Sequence, residues 1–372
     1  MKKMLVLLLV VAMMGLIVAC DSDEGTTPAA ATATTAPAET NTQAPDTTTD
    51  SEGGRVYVFN WGHFIYPPVL RMFEEEYGIE VIYATYATNE EMYQRVVMGG
   101  DFDVLFPSDY MIERMIHEGR LAPINWDNIP NAQHIDDKFW DWAHDPTNSY
   151  SVPYMWGTFG LLYNTETVTQ DVYSWSILWD EAFEGQIFMY DSSRCSIGVA
   201  QHLLGFSINS TDAGELEQAR NMLIEQRPLV RAFLGDQVID AMIGNEGYLA
   251  TVFSGDARWI MYYAPEHNFV NPVEGVQLFI DSMVIPVDSR NRENAERFIN
   301  FMTRPDIAYL NTRYIRYSTT NATAFEMLPD YWQNCPIYWP EDEVLARGEV
   351  FIDLGDFRSE VELAWTQIMM SR

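Results

Sequence analysis

The chain has 372 residues, of which 47% are hydrophobic, and a formal net charge of −32 at pH 7. The length suffices for two domains with sizeable cores, and the negative charge excludes nucleic acid as a partner because phosphate binding needs a basic surface. Lys138 is the only lysine beyond Lys3, and no glycine-rich loop surrounds it, which excludes a P-loop nucleotide site.

Residues 1–19 have the pattern of a cleaved signal peptide, with two lysines followed by an apolar run over residues 5–18. That run is too short to span a bilayer comfortably. The residues before Cys20 resemble the lipobox of bacterial lipoproteins, which implies cleavage before Cys20 and a lipid on its thiol. Ordinary signal cleavage beside an incidental cysteine is the alternative.

Residues 20–54 are mostly Thr, Ala, Pro, Asp and Glu, without an aromatic or a large aliphatic residue. Such a segment cannot bury enough apolar surface to offset its chain entropy. We therefore predict a disordered tether that holds a folded domain at a membrane surface outside the cytoplasm.

Strand and helix patterns alternate over residues 55–120, which predicts an α/β fold with a mostly parallel sheet. The first strand ends at Trp61 and Phe64, and the third ends just before Ser108 and Tyr110. Ligands of open α/β sheets bind at the carboxyl ends of such strands. The alternatives are structural, because the two rings would also cap a core and Ser108 would also cap a helix.

Two acidic residues in the second half of the chain stand at positions where a ligand could bind. Asp256 follows a buried strand over residues 248–253, at another strand–helix junction. Asp281 lies within the apolar run 276–286, where an unpaired charge costs several kcal/mol. Either an arginine pairs with Asp281, or its carboxylate is kept for a cationic ligand.

The histidines and cysteines predict no metal site and no cofactor. The six histidines lack the spacing of a zinc site. Cys195 and Cys335 remain once Cys20 is set aside, and outside the cytoplasm they could form a disulfide or stay as two buried thiols.

Six segments, taken in order, resemble the spermidine/putrescine-binding proteins of bacterial ABC importers over about residues 55–370. They read VFNWGHF, IEVIYATYATNEEMY, FDVLFPSDYMIERM, YSVPYMWGTFGLLYN, FIDSMVIP and RFINFMTRPDIA. The resemblance implies a two-lobed periplasmic-binding-protein fold, with a mostly parallel sheet and flanking helices in each lobe and a ligand cleft between them. It divides the chain into a first lobe of residues 55–153 and about 281–320, and a second lobe of residues 154–280 and about 321–372.

The same resemblance implies a polyamine site made of aromatic walls and carboxylates. Rings hold the methylenes and add cation–π contacts of about 0.5–2 kcal/mol, while carboxylates meet the ammonium ends. The implied residues are the rings of Trp61, Phe64, Tyr110, Phe253, Phe279 and Tyr317, the hydroxyl of Ser108, and the carboxylates of Asp256 and Asp281.

Four positions depart from the family pattern. Cys195 and Ser192 replace acidic residues of the spermidine binders, His63 stands where Asp or Glu is frequent, and Phe351 replaces a polar amide. Fewer acids neutralise fewer amines, which favours a putrescine-like diamine over spermidine. A different organic cation remains an alternative.

The expected protein is a monomeric, non-enzymatic solute-binding lipoprotein. Cys20 would anchor it to the outer face of the cytoplasmic membrane, where it would deliver a polyamine to an ABC permease. One alternative is a module that senses polyamine without transport. Another is a hydrolase that uses Asp256 and Asp281, although no catalytic triad or nucleophile elbow supports it.

Overall fold

A computed structural model describes residues 54–371. The predicted signal peptide, the lipidation site at Cys20 and the tether lie outside the described residues. Within the described part of the chain, no helix is both long and apolar enough to cross a membrane.

Residues 54–371 form eleven strands that join in one sheet. Its main path runs β2-β1-β3-β9-β4-β7-β5-β6, while β8 and β10 pair with β4 and β11 pairs with β9. The strands are β1 (Arg55–Trp61), β2 (Glu80–Tyr86), β3 (Val104–Leu105), β4 (Ser151–Asn164), β5 (Ile187–Tyr190), β6 (Val230–Leu234), β7 (Leu249–Phe253), β8 (His267–Val270), β9 (Val276–Val284), β10 (Ser318–Thr319) and β11 (Gly348–Val350).

Thirteen α-helices accompany these strands in the same part of the chain. They are α1 (Pro67–Tyr77), α2 (Asn89–Val97), α3 (Asp109–His117), α4 (Ser193–Leu204), α5 (Ala213–Gln226), α6 (Gln237–Ile243), α7 (Ser254–Tyr263), α8 (Arg292–Met302), α9 (Pro305–Ile315), α10 (Ala322–Glu326), α11 (Asp330–Gln333), α12 (Asp342–Leu345) and α13 (Arg358–Met370).

Local sequence signals explain where the first helices begin and end. Two prolines start α1, and Gly78 ends it in the left-handed conformation, at φ 66°. The side chain of Thr88 accepts the backbone N–H of Glu91, whose own carboxylate accepts the N–H of Ala87. These two bonds close the start of α2 in a variant of the capping box, in which the glutamate accepts the N–H of the residue before the N-cap.

Two antiparallel strands, β4 and β9, join the two halves of the sheet. The pairs β1–β2 and β1–β3 are parallel, as are β5–β6 and β5–β7. By contrast, β4 runs antiparallel to both β9 and β7. Each half is therefore mostly parallel, as predicted, and the two long central strands carry the chain from one half to the other.

The two halves have separate hydrophobic cores. We call the half that contains β1 the first lobe and the half that contains β5 the second lobe. Tyr154 and Trp156 at the start of β4 pack in the first core, whereas Phe159 further along the same strand packs in the second. Near the carboxyl end, Leu345 packs against the first core and Phe351 in the second. Leu345 and Phe351 thus pack on different cores, and the predicted division of the chain near residue 321 stays a prediction.

Cys195 and Cys335 do not form a disulfide with each other. Cys195 is buried in the core of the second lobe, where burial raises the pKa of its thiol to about 12. Cys335 lies in the segment after α11, where its carbonyl accepts the backbone N–H of Tyr338. The pairing that the sequence left open is not formed, because the two thiols are built into different parts of the fold.

Candidate functional site

A row of aromatic rings lies where β4 and β9 pass from the first lobe to the second. The Phe64 ring meets Tyr317 edge-on at a centroid distance of 5.4 Å, and Tyr317 meets Phe279 at 5.7 Å. Phe279 in turn contacts Phe253 at 5.1 Å. These four predicted residues come from four distant segments, and the fold brings them into one continuous apolar wall.

A carboxylate lies beside Tyr317, the second ring of this row. The Tyr317 hydroxyl donates a 2.8 Å hydrogen bond to Oδ1 of Asp256, in the first turn of α7. The preceding residue, Gly255, lies against the face of the same ring, since a Cβ there would be 2.0 Å from Cδ2 of Tyr317. The glycine therefore sets the position of the ring, and the ring sets the position of the carboxylate.

A second carboxylate, Asp281, lies two residues after Phe279 on β9, so the two side chains share one face of the strand. Asp281 is only 5% exposed, and the hydroxyl of Ser108 donates to its Oδ1 at 2.7 Å. Ser108 makes no side-chain cap to its helix. Ser108 thus occupies the predicted N-cap position of α3, but its hydroxyl donates to the carboxylate and makes no capping bond to the helix.

Neither carboxylate is paired with a basic side chain. Among residues 54–371, no Lys, Arg or His lies within 4 Å of the carboxylate oxygens of Asp256 or Asp281. The arginine ion pair that the sequence left open for Asp281 is therefore not formed.

Burial controls the charge state of both carboxylates. It raises the pKa of Asp281 to about 7, against a small lowering by Ser108. It also raises the pKa of Asp256 to about 7, and the neighbouring carboxylate of Asp236 adds to the shift. The start of a helix stabilises a carboxylate by only about 0.3–1 kcal/mol. Burial outweighs this effect, so the negative charge of Asp256 is no better stabilised than that of Asp281.

Hydrogen bonds hold the side chains of Trp61 and Tyr110 near the first-lobe side of the site. The Trp61 indole N–H donates to the carbonyl of Phe106 at 2.7 Å, two residues before Ser108. The Tyr110 hydroxyl accepts from the Asn89 amide, which also donates to the Ser108 hydroxyl. Tyr110 therefore belongs to the same polar network as Asp281, through Asn89 and Ser108, whereas Trp61 is held at the neighbouring Phe106 carbonyl.

Several residues of this site were not predicted as ligand contacts. Asn89 and Glu90 lie in the first turn of α2, and the sequence placed them only within the family-like segment IEVIYATYATNEEMY. The Glu90 carboxylate accepts the Tyr110 hydroxyl at 3.0 Å. Asp236 lies at the Asp256 end, with its Oδ2 3.9 Å from where a Cβ of Gly62 would be. Asp109 directly follows Ser108, and that adjacency was the one sequence signal for it.

Two of the four departures from the family pattern, Cys195 and Phe351, pack with Tyr110 in the second core. Ser192 caps α4 by accepting the backbone N–H of Cys195. Phe351 contacts Tyr110 edge-on at 6.4 Å, and the guanidinium of Arg194 lies 4.6 Å from the centre of the Phe351 ring. This end of the site is thus bordered by a ring and a positive charge.

His63 lies at the other end, exposed and with a left-handed backbone at φ 54°. It faces Asp236, which it stabilises as a carboxylate. Residues 54–371 contain no group of three or more His, Cys, Asp and Glu side chains placed to hold a metal ion.

Comparisons with known proteins identify the family of the chain. A family model described as bacterial extracellular solute-binding protein matches residues 94–344. The spermidine/putrescine-binding periplasmic protein of Escherichia coli K12 is 32% identical over 324 residues, which is 86% of this chain and 93% of the relative.

Two solved structures extend the likeness to the fold. The spermidine/putrescine ABC transporter substrate-binding protein PotD of Streptococcus pneumoniae is 33% identical with a TM-score of 0.76, covering 85% of this chain and 99% of its own. The Tp0655 lipoprotein of Treponema pallidum, also called TpPotD, is 25% identical with a TM-score of 0.76, covering 84% and 99% respectively.

Proposed function

Because the chain belongs to the bacterial extracellular solute-binding proteins, we propose that it captures a polyamine outside the cytoplasm and delivers it to an ABC permease. The ligand that fits the site is a putrescine-like diamine. Its methylenes would lie along the rings of Phe279 and Tyr317, and its two ammonium groups would meet Asp281 and Asp256.

One observation carries this proposal: two carboxylates without a cationic partner are joined by a row of rings. Ser108 donates to one carboxylate and Tyr317 to the other, so both are held in place. A desolvated carboxylate costs free energy until a cation or a proton neutralises it. Aromatic faces complete the fit because they attract ammonium groups and the polarised methylenes next to them.

The end of the site near Tyr110 favours a diamine over a triamine. A third ammonium group extended past Tyr110 would approach the guanidinium of Arg194, 5.7 Å from the centre of the Tyr110 ring. Glu90, whose carboxylate accepts the Tyr110 hydroxyl at 3.0 Å, offsets part of this repulsion, and Cys195 and Phe351 add no further negative charge. Spermidine is therefore expected to bind more weakly than putrescine.

The proposal also includes a lipid anchor at Cys20. The lipobox-like residues before Cys20 support a lipid-modified, membrane-held form, and the Treponema pallidum relative is itself a lipoprotein. The acidic tether of residues 20–54 would give the binding domain, which we propose to act as a monomer, freedom to reach a permease in the same membrane.

The test is calorimetric titration of a soluble form that begins at Asp21. We expect binding of putrescine and cadaverine, weaker binding of spermidine and spermine, and no binding of a neutral analogue such as 1,4-butanediol. Failure of every polyamine to bind would overturn the proposal. Uptake of labelled putrescine by cells with and without the protein then separates transport from sensing.

A further inference from the structure

One face of α7 packs against the chain segment that follows α9. Gly255, Trp259 and Tyr262 have the spacing i, i+4 and i+7 along α7, which puts them on one stripe of the helix. Gly255 lies against the Tyr317 ring. The guanidinium of Arg316 lies 3.9 Å from the centre of the Tyr262 ring and 5.6 Å from that of Trp259. The stripe therefore meets two successive residues, Arg316 and Tyr317.

This contact joins the two lobes. Leu249 of β7, the strand that leads into α7, packs in the second core. Ile315, the last residue of α9, packs in the first core. Two residues after Arg316, Ser318 pairs with Trp156 at the first-lobe end of β4. Arg316 thus reaches from the first lobe onto a helix of the second.

The aromatic rings of α7 are the partners of the Arg316 charge. Its Nε is buried and, among residues 54–371, has no hydrogen-bond partner. In the same part of the chain, no carboxylate oxygen lies within 4 Å of its guanidinium. A guanidinium within about 6 Å of a ring centre is attracted by the negative face of the ring, more strongly where water is excluded. The rings of Tyr262 and Trp259 therefore stabilise this charge.

A diamine can reach the proposed site only when this contact opens. Asp281 is only 5% exposed, so the site is closed to solvent in this structure. Asp256 lies in the first turn of α7 and accepts the Tyr317 hydroxyl, so the lobes must separate along the same stripe before a ligand enters or leaves. That separation breaks the contact of Arg316 with Tyr262 together with the Tyr317–Asp256 hydrogen bond.

We propose that Arg316 is a positioning residue that holds the two lobes closed over the bound diamine. It does not touch the ligand: its contact with Tyr262 fixes α7 against the first lobe and keeps Asp256 beside Tyr317. Because the contact exists only in the closed arrangement, its loss should speed ligand release and leave the rate of capture nearly unchanged. This inference rests on the proposed polyamine binding, since it concerns the release of that ligand.

The test measures putrescine release and affinity with the soluble form that begins at Asp21. A chase of bound, labelled putrescine with excess unlabelled putrescine gives the release rate, and calorimetry gives the affinity, so their ratio gives the capture rate. Arg316→Gln should release putrescine about 2- to 30-fold faster than the wild type, the range expected for one cation–π contact. Arg316→Lys keeps the positive charge and should release more slowly than Arg316→Gln.

Variants of Tyr262 test the same contact from the second lobe. Tyr262→Leu removes the ring and should also speed release, but it should add little to Arg316→Gln in the double variant, because the contact is already lost there. Tyr262→Phe keeps the ring, is the matched control and should behave as the wild type. Tyr262 is 41% exposed, so Tyr262→Leu carries the test should Arg316→Gln fail to fold.

Release at the wild-type rate by either Arg316→Gln or Tyr262→Leu would overturn the inference. A loss of affinity that comes entirely from slower capture would overturn it as well, and so would full additivity of the two substitutions. Absence of any putrescine binding by the wild type would instead overturn the proposed function.

Discussion

Gly157 of β4 is paired with Phe279 of β9, and the Phe279 ring fills the space that a side chain at Gly157 would need. A Cβ on Gly157 would be 3.0 Å from Cε1 of Phe279 and 2.5 Å from Oγ of Ser254. This pairing lies between Trp156, which packs in the first core, and Phe159, which packs in the second. The aromatic row thus depends on a glycine at the point where the central strands change lobes.

Gly157→Ala should weaken putrescine binding, because the new methyl group would push Phe279 out of the row. Overpacking of this kind typically costs about 1–3 kcal/mol. Calorimetry measures the loss of putrescine affinity, and thermal unfolding measures the loss of stability. The control is Gly214→Ala, an exposed position in the first turn of α5, which should leave binding unchanged. Unchanged putrescine affinity in Gly157→Ala would contradict the prediction.

Asp281→Asn and Asp256→Asn should each weaken putrescine binding by about 2–5 kcal/mol, since each removes the partner of one desolvated ammonium group. Because burial raises the pKa of both carboxyls alike, we expect comparable losses. Butylamine, with one ammonium group, separates the two ends when it is titrated into both variants. A diamine affinity that survives either substitution would remove that carboxylate from the site.

Tyr317→Phe should make putrescine binding more sensitive to pH. The Tyr317 hydroxyl lowers the pKa of Asp256, so its removal should raise that pKa further above about 7. An ammonium group needs the ionised carboxylate, so affinity falls as the pH drops through this pKa. The variant should therefore lose more affinity at pH 6.5 than at pH 8.5, with a loss of about 1–3 kcal/mol at neutral pH. Titrations with putrescine at the two pH values measure these affinity losses, and Tyr163→Phe is the control. Equal losses at pH 6.5 and pH 8.5 would argue against a role of the Tyr317–Asp256 hydrogen bond in binding.

Cys20→Ala should release the protein from membranes and leave its affinity for putrescine unchanged, because the proposed lipid would be attached to Cys20, which is none of the proposed ligand-binding residues. Fractionation of cells into soluble and membrane fractions, followed by calorimetry on the soluble form, measures both effects. Retention of the variant in the membrane fraction would count against lipidation.

Thiol counting should find two reactive thiols in the denatured, unreduced form that begins at Asp21. Cys195 and Cys335 do not form a disulfide with each other, so both should react with a thiol reagent once the chain is unfolded. A reduced and denatured sample is the matched control and should give the same count. A count of zero without reduction would show that the two cysteines pair in the exported protein.

The sequence by itself determined the alternation of strands and helices and the positions where strands end in rings or acids. These features depend on local periodicity and on capping residues such as Thr88 and Gly78, whose effects extend over a few neighbouring residues. The six ordered segments determined the family. They also predicted the residues of the aromatic row, although no local signal places Phe64 beside Tyr317.

Only the tertiary structure decided which groups meet and which charges they carry. Ser108 follows a strand and looks like a helix cap, yet it donates to Asp281, 173 positions away along the chain. Asp256 begins a helix and looks well solvated, yet packing between the lobes raises its pKa to about 7. Hydrogen-bond partners and desolvation depend on neighbours that are distant along the chain, so no local pattern encodes them.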